Sequence, residues 1–247
     1  MTSLTWLAPG DPFPPTSQAL DDPDGLLAAG GDLSTATLLN AYGQGIFPWY
    51  SPGQPILWWS PNPRLVLFPQ RFHLSRRMQR TLRQGHWKFS LNSAFEQVID
   101  ACADTPRHGR SGTWITPEMR AAYCQLHALG HAHSLEVWHR QQLVGGIYGV
   151  RVGHVFFGES MFSHARDASK AAMAMLCQLH TTLSFELLDC QVESAHLLSL
   201  GASNLTREKF EQQLRMLTTR YSEAWPVIPP GGLSFCQAAC FAEPVGD

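Results

Sequence analysis

The sequence predicts an α+β protein in two parts. A small α/β segment spans residues 1–63, and a larger part spans 64–247, where helices flank a mixed sheet. Three observations carry this. Composition changes around Pro61-Asn62-Pro63, from a stretch rich in Pro, Gly, Asp and Trp to one rich in arginine. Three runs of strand-type residues, over 135–139, 143–151 and 154–162, follow one another across the turns Arg140-Gln141-Gln142 and Gly153, the pattern of an antiparallel meander. A helical run after Asp167 then separates the meander from a lone strand over 185–192, which must rejoin the sheet by a crossover.

In chain order, Gly30-Gly31-Asp32-Leu33-Ser34 reads as a turn opening a helix. Asp32 or Ser34 can cap it, Leu38, Leu39 and Tyr42 lie along one side, and Gly45 can end it. Ile46-Phe47-Pro48-Trp49-Tyr50 and Ile56-Leu57-Trp58-Trp59 flank a Pro/Gly turn and give this part an aromatic surface. Ser75 caps a helix over 76–84. At 100° per residue, Arg76, Arg80 and Arg83 share one face of it, opposite Leu74, Met78 and Leu82. Thr116-Pro117-Glu118 supplies a cap, a Pro at the first helical position and an acid in the first turn. Met119, Tyr123 and Leu126 form that helix's apolar stripe, and Gly130 stops it. After the meander, Asp167 caps an Ala/Met-rich helix to about Leu183. A short helix over 194–200 ends at Gly201, and Thr206 caps a last helix to about Leu217.

The 247 residues, 44% hydrophobic, suffice for a real core, in one large domain or two smaller ones. No run of eighteen apolar residues suggests a membrane span. Met1-Thr2-Ser3-Leu4-Thr5-Trp6 lacks the charged and apolar regions of a secretory signal, so a cytoplasmic protein is expected. Cys102, Cys124, Cys177, Cys190, Cys236 and Cys240 have no CxxC spacing and read as reduced thiols. His131-Ala132-His133 has no cysteine or carboxylate nearby to complete a ligand set, so no metal is expected.

Net charge is only −2, which argues against a uniformly basic nucleic-acid binder. Its distribution is uneven, however. Residues 1–63 hold five aspartates and no Lys or Arg, whereas residues 64–95 hold Arg64, Arg71, Arg76, Arg77, Arg80, Arg83 and Lys88 and no acid. A purely cationic stretch can hold phosphates even on a near-neutral protein, and arginine's fork suits phosphate oxygens.

The strand segments 156–162 and 187–192 are dominated by apolar and aromatic residues, yet each carries a carboxylate, Glu159 and Asp189. An ionised side chain inside a buried strand is costly unless it is paired or used. Two such positions indicate a site on neighbouring strands. Asp189 and Gln191 share a face by alternation, and Cys190 points the other way, towards the core.

Taken together, Gly45-Ile46-Phe47-Pro48-Trp49-Tyr50, Trp58-Trp59-Ser60-Pro61, Gly112-Thr113-Trp114-Ile115, Phe157-Gly158-Glu159-Ser160-Met161-Phe162-Ser163, Ala168-Ser169-Lys170, Asp189-Cys190-Gln191 and Leu198-Ser199-Leu200-Gly201-Ala202 closely resemble leucyl/phenylalanyl-tRNA–protein transferases, from about Ala8 to about Leu214. The resemblance implies a small N-terminal domain joined to a GNAT-like N-acyltransferase domain. It also implies transfer of Leu or Phe, and Met less well, from aminoacyl-tRNA to the N-terminal Arg or Lys of proteins, creating an N-terminal degradation signal. It makes Asp189, Gln191 and Glu159 the reaction centre. Tyr42, Trp49 and Trp114 then frame the 3′-terminal adenosine, where base stacking is worth about 1–3 kcal/mol. Phe156, Met161, Phe162, Met173 and Leu188 are candidates for a deep apolar amino-acid pocket. Arg76, Arg77, Arg80 and Arg83 would hold the acceptor-stem backbone of the tRNA.

The sequence departs from acetyl-CoA users of that fold. Ser163-His164-Ala165-Arg166-Asp167-Ala168-Ser169-Lys170 lacks the glycines whose amides hold a pyrophosphate, which favours tRNA as the acyl carrier. Aminolysis of an activated ester needs positioning, removal of one proton and a partner for the oxyanion, so no cofactor and no covalent cysteine are expected. Glutamine has almost no proton affinity, so Gln191 is expected to orient and hydrogen-bond. Leu-tRNA, Phe-tRNA and proteins with N-terminal Arg or Lys are the expected partners of a monomer.

Overall fold

The computed structural model describes residues 4–105 and 114–235. Cys236, Cys240, Met1-Thr2-Ser3 and the Gly112-Thr113 half of its motif lie outside the described residues. The first part of the chain forms β1 (Thr5–Leu7), β2 (Leu26–Gly30), α1 (Thr35–Gly43), β3 (Phe47–Pro48) and β4 (Leu57–Trp59). Its four strands make one sheet in the order β1-β2-β4-β3.

From Arg64 the chain builds β5 (Arg64–Leu67), α2 (Arg76–Arg83), β6 (Lys88–Leu91), α3 (Phe95–Asp104), α4 (Pro117–Ala128), β7 (Ala132–His139), β8 (Gln142–Val152) and β9 (Val155–Ser163). There follow α5 (Ala168–Gln178), β10 (Leu187–Gln191), α6 (Ala195–Leu198), β11 (Ser203–Leu205), α7 (Arg207–Leu217) and β12 (Ile228–Leu233). The strands form an eight-stranded mixed sheet, β11-β5-β10-β9-β8-β7-β6-β12. β7, β8 and β9 are the antiparallel meander, and β10 returns through α5 to lie parallel to β9. This is the mixed sheet with one crossover that the sequence predicts.

Local chemistry explains the helix starts. Ser34, Ser75, Thr116 and Thr206 each accept from the backbone N–H three residues on, at Thr37, Met78, Met119 and Lys209. Each such cap is worth about 1 kcal/mol. Gly45, past the end of α1, has φ +76°, and a Cβ there would lie 2.8 Å from the Phe210 ring.

Asp167 departs from expectation. It occupies the position before α5 with a left-handed backbone, but its carboxylate pairs with Lys170 at 3.2 Å and caps nothing. α5 also stops at Gln178, five residues before the expected end near Leu183. The His180 ring lies 2.8 Å from the carbonyl oxygen of Cys177 and occupies an acceptor that a continuing helix would use.

Several elements are absent from the sequence-based reading: β1, β2, β5, β6, α3, β11 and β12. α3 starts at Ala94 without a side-chain cap. β12 carries Pro229-Pro230-Gly231-Gly232, a composition that reads as a turn, and is tolerated because it lies at the sheet edge.

Apolar residues fill both faces of the large sheet. On one face Phe95, Tyr123, Tyr148, Phe157 and Phe210 join Tyr42 and Trp58 of the first part in a single core. On the other, Phe156, Met173, Leu188 and Trp225 pack with Met78 and Leu82 of α2. Among the described residues no helix is long and apolar enough to cross a membrane.

Candidate active site

β9 and β10 pair as far as Phe157 and Asp189 and then part. Each strand carries a β-bulge where they separate. On β9, Glu159 is the surplus residue opposite Tyr148-Gly149, whose partners are Ser160 and Gly158. On β10, Cys190 is surplus opposite Val66 and Leu65, whose partners are Asp189 and Gln191. Bulges re-aim side chains. The result is a gap between two parallel strands where they splay apart past Phe157 and Asp189.

Glu159 stands at this gap, 6% exposed. Its Oε2 accepts from the Tyr123 hydroxyl at 2.8 Å, and its Oε1 accepts from Gln191 Nε2 at 2.9 Å. Tyr123 spends its only proton on Glu159, so Tyr42, its other hydroxyl partner, donates to Tyr123. Burial pushes the Glu159 carboxyl up to about 7. The hydrogen bonds from Tyr123 and Gln191 oppose that rise, and the charge of Asp189 adds to it. Burial likewise holds both tyrosine hydroxyls well above their ordinary range. A second buried carboxylate, Glu136, is also raised by burial, but hydroxyls of Ser90, Ser93 and Ser134 surround it. It reads as a structural group.

Asp189 is turned to Arg64. It is fully buried, and Arg64 clasps it with Nε to Oδ1 at 2.9 Å and Nη2 to Oδ2 at 2.7 Å. It touches the site only through Oδ1, which accepts the backbone N–H of Gln191 at 2.9 Å. Asp189 and Gln191 do share one face, as expected: Leu188 and Cys190 pack in the opposite core, while Asp189 meets Arg64 and Gln191 meets Glu159 on the side of Tyr123. Gln191 has φ 65° and turns its amide to Glu159. Cys190 does point to the core, and burial raises its thiol well above the ordinary range, so no thiolate is available there.

The aromatic candidates separate. Trp49 is 47% exposed, with its ring 5.6 Å from that of Trp59. Trp114 is half-buried against the core. Tyr42 has no exposed surface, its ring packs 5.0 Å from Phe157, and neither face is open to a base. Its place is in the hydroxyl relay behind Glu159, which corrects the expected stacking role.

The pocket candidates separate as well. Phe156, Met173 and Leu188 belong to the core on the α5 side, with Met161 packed against it. Phe162 lies in the opposite core and cannot line the same cavity. Ile147, which the sequence did not single out, lies opposite Met161 on β8 and in the same core as Leu188. A Cβ built on Gly158 would lie 3.6 Å from Leu188 and 3.9 Å from Ile147, which places both beside the gap. A cavity of about 620 Å³ lies elsewhere, between the 50–56 turn and the start of α4, among Leu33, Tyr50, Pro52, Ile56, Thr116 and Glu118. None of the expected pocket residues lines it.

Arg76, Arg77, Arg80 and Arg83 are all exposed on α2, whose Met78 and Leu82 are buried. Among the described residues none of the four forms an ion pair with an acid. Sequence reasoning missed Tyr123 and Arg64. Tyr123 looked like one more member of an apolar stripe, and Arg64 like one more charge in a cationic run.

Comparison with known proteins decides the family. The leucyl/phenylalanyl-tRNA protein transferase family model matches residues 66–215, and the model of that family's N-terminal domain matches residues 31–62. The chain belongs to the leucyl/phenylalanyl-tRNA–protein transferase family. A transferase of that name from Xanthomonas axonopodis pv. citri is 58% identical over 90% of this chain and 87% of its own length. One from Teredinibacter turnerae is 49% identical over 99% of this chain and 91% of its own length. Solved structures overlay only in part. A GCN5-related N-acetyltransferase from Kribbella flavida is 10% identical over 64% of this chain and 56% of that one, with a TM-score of 0.35. L-PGS from Bacillus licheniformis is 9% identical over 76% of this chain and 64% of that one, with a TM-score of 0.34. The fold description rests on the strand order itself.

Proposed function

We propose that this chain is an aminoacyltransferase. It moves Leu or Phe, and Met less well, from aminoacyl-tRNA to the N-terminal Arg or Lys of a protein, forming a peptide bond and an N-terminal degradation signal. The observation that carries the reading is the Glu159–Gln191 pair. A buried carboxyl pushed up to about 7 is joined to a half-buried amide across a gap between parallel strands.

The chemistry is aminolysis. The acceptor's α-amine attacks the ester carbonyl, the new C–N bond forms, the bond to the ribose oxygen breaks, and the amine's proton ends on that oxygen. About a sixth of such amines are already neutral at pH 7. Glu159 is poised between its two forms near neutrality, so it can hold the incoming ammonium or accept its proton. Gln191 donates its N–H to Glu159, which leaves its carbonyl oxygen to accept from the attacking amine.

The acyl side chain would enter at Gly158, towards Ile147, Met161 and Leu188, with Phe156 and Met173 behind them. Trp49 and Trp114 would frame the terminal adenosine, and the α2 arginines would hold the acceptor stem. Asp167 argues against a CoA donor, because its carboxylate stands at the start of α5, where a pyrophosphate would need free amides. The division into 1–63 and 64–247 belongs to the same proposal, supported by the two separate sheets, although both parts share one core. A cytoplasmic monomer is the form in which charged tRNA and new N-termini are both in reach.

Radiolabelled Leu-tRNA or Phe-tRNA with an Arg-starting peptide tests this. Label should pass to the peptide, and ribonuclease treatment of the tRNA beforehand should abolish transfer. Label transfer from acetyl-CoA, or none from either donor, would overturn the reading.

A further inference from the structure

Arg64 is a fully buried charge, with no exposed surface. Its guanidinium lies between two rings, Cζ standing 4.7 Å from the Phe47 centroid and 4.8 Å from that of Phe210. Phe47 belongs to the first sheet and Phe210 to α7, while the fork itself grips Asp189 on β10. One side chain therefore ties three separate elements to the site strand.

We infer that Arg64 is a positioning residue for the transfer reaction, acting through Asp189 on the backbone of Gln191. This rests on the reading of Gln191 given above. Gln191 is not glycine, yet it holds φ 65°, a left-handed conformation that is strained for a residue with a side chain. Something must hold it there. The bond from its N–H to Asp189 Oδ1 does so, and that oxygen is fixed because Arg64 Nε donates to it as well. A bidentate fork fixes the carboxylate's plane, which a lysine's single point of charge cannot do. Arg64 also neutralises Asp189, whose charge would otherwise stand bare in the core near the Glu159 carboxyl.

Arg64→Lys keeps the charge and loses the fork. It should lower kcat at least about 30-fold while KM for aminoacyl-tRNA stays within about threefold, since Arg64 touches neither substrate. In a Gln191→Ala background the same change should alter kcat less than about twofold, because the group it positions is gone. A purely architectural Arg64 would give losses that add. Additive losses, or a folded Arg64→Lys enzyme at the wild-type rate, would overturn the inference. If Arg64→Lys folds poorly, the Arg64→Met/Asp189→Asn pair leaves no buried charge and should fold yet stay slow; a wild-type rate there overturns it equally. Full activity of Gln191→Ala alone would instead refute the role given to Gln191.

Discussion

The Gln191 amide donates to Glu159 from a different strand, Nε2 to Oε1 2.9 Å, at the point where β9 and β10 have ceased to pair. Neither side chain alone spans the gap, and each fixes the other. Removing the amide leaves a buried carboxylate short of a donor. Gln191→Ala should therefore slow single-turnover transfer from Leu-tRNA by about 100-fold or more, the scale of a positioned charge-handling group. Gln191→Glu should be worse, because it sets a second carboxylate against the first. A Gln191→Ala rate within a factor of about three of wild type would remove this residue from the reaction.

Glu159 also makes stability depend on pH. Its folded-state pKa, about 7, lies above its unfolded value, so the protonated form favours the fold. That contribution is complete below the ordinary carboxylate range and is lost as pH rises through about 7. Glu159→Gln should therefore unfold at a similar temperature to wild type at pH 5 and a higher one at pH 8.5. The difference should be of order 2 kcal/mol, with transfer activity lost. Tyr123 can turn its hydroxyl to accept from the new amide, so the network survives the change. Equal melting temperatures for both proteins at pH 8.5 would count against a carboxyl raised by burial.

Gly158 offers a test of the acyl slot with little risk to the fold. A methyl there meets Asp189 O at 3.5 Å, Leu188 at 3.6 Å and Ile147 at 3.9 Å, all ordinary contacts. Gly158→Ala should fold with nearly unchanged melting temperature and lose about tenfold or more in kcat/KM for both Leu-tRNA and Phe-tRNA, with Phe hurt more. Unchanged use of both donors would move the slot elsewhere.

The exposed arginines of α2 should act on affinity alone. Arg76→Ala with Arg80→Ala should weaken tRNA binding and lower the slope of log K against log salt by about two. The ratio of Leu to Phe transfer should not change. Filter binding across a salt series measures the first and peptide labelling the second; an unaltered slope in the double variant ends this assignment.

What was legible in the sequence was local. Ser34, Ser75, Thr116 and Thr206 announce their helices because a cap acts within three residues. The meander and crossover followed from strand-type runs and turn residues. Glu159 stood out because a carboxylate in an apolar strand is costly. What was hidden depends on partners distant in the chain. Alternation put Asp189 and Gln191 on one face, which holds, but the surplus Cys190 and the Arg64 clasp on Asp189 show only in the pairing with β5. Tyr123 shows only helical periodicity until its hydroxyl meets Glu159, 36 residues later. Arg64 lies 125 residues from Asp189, and Arg71, Arg76 and Arg77 look the same in a charge count.

The two bulges make this site sensitive to length in a way that substitutions do not reveal. Loss of one codon at position 159 or 190 would let a strand fall back into regular pairing. The residues beyond would keep their partners, but the local kink that aims the 159 and 191 side chains into the gap would be gone, although no other letter had changed. Insertions and deletions in these two short windows should thus be far rarer among functional variants than amino-acid exchanges, while the surface turns around them accept both.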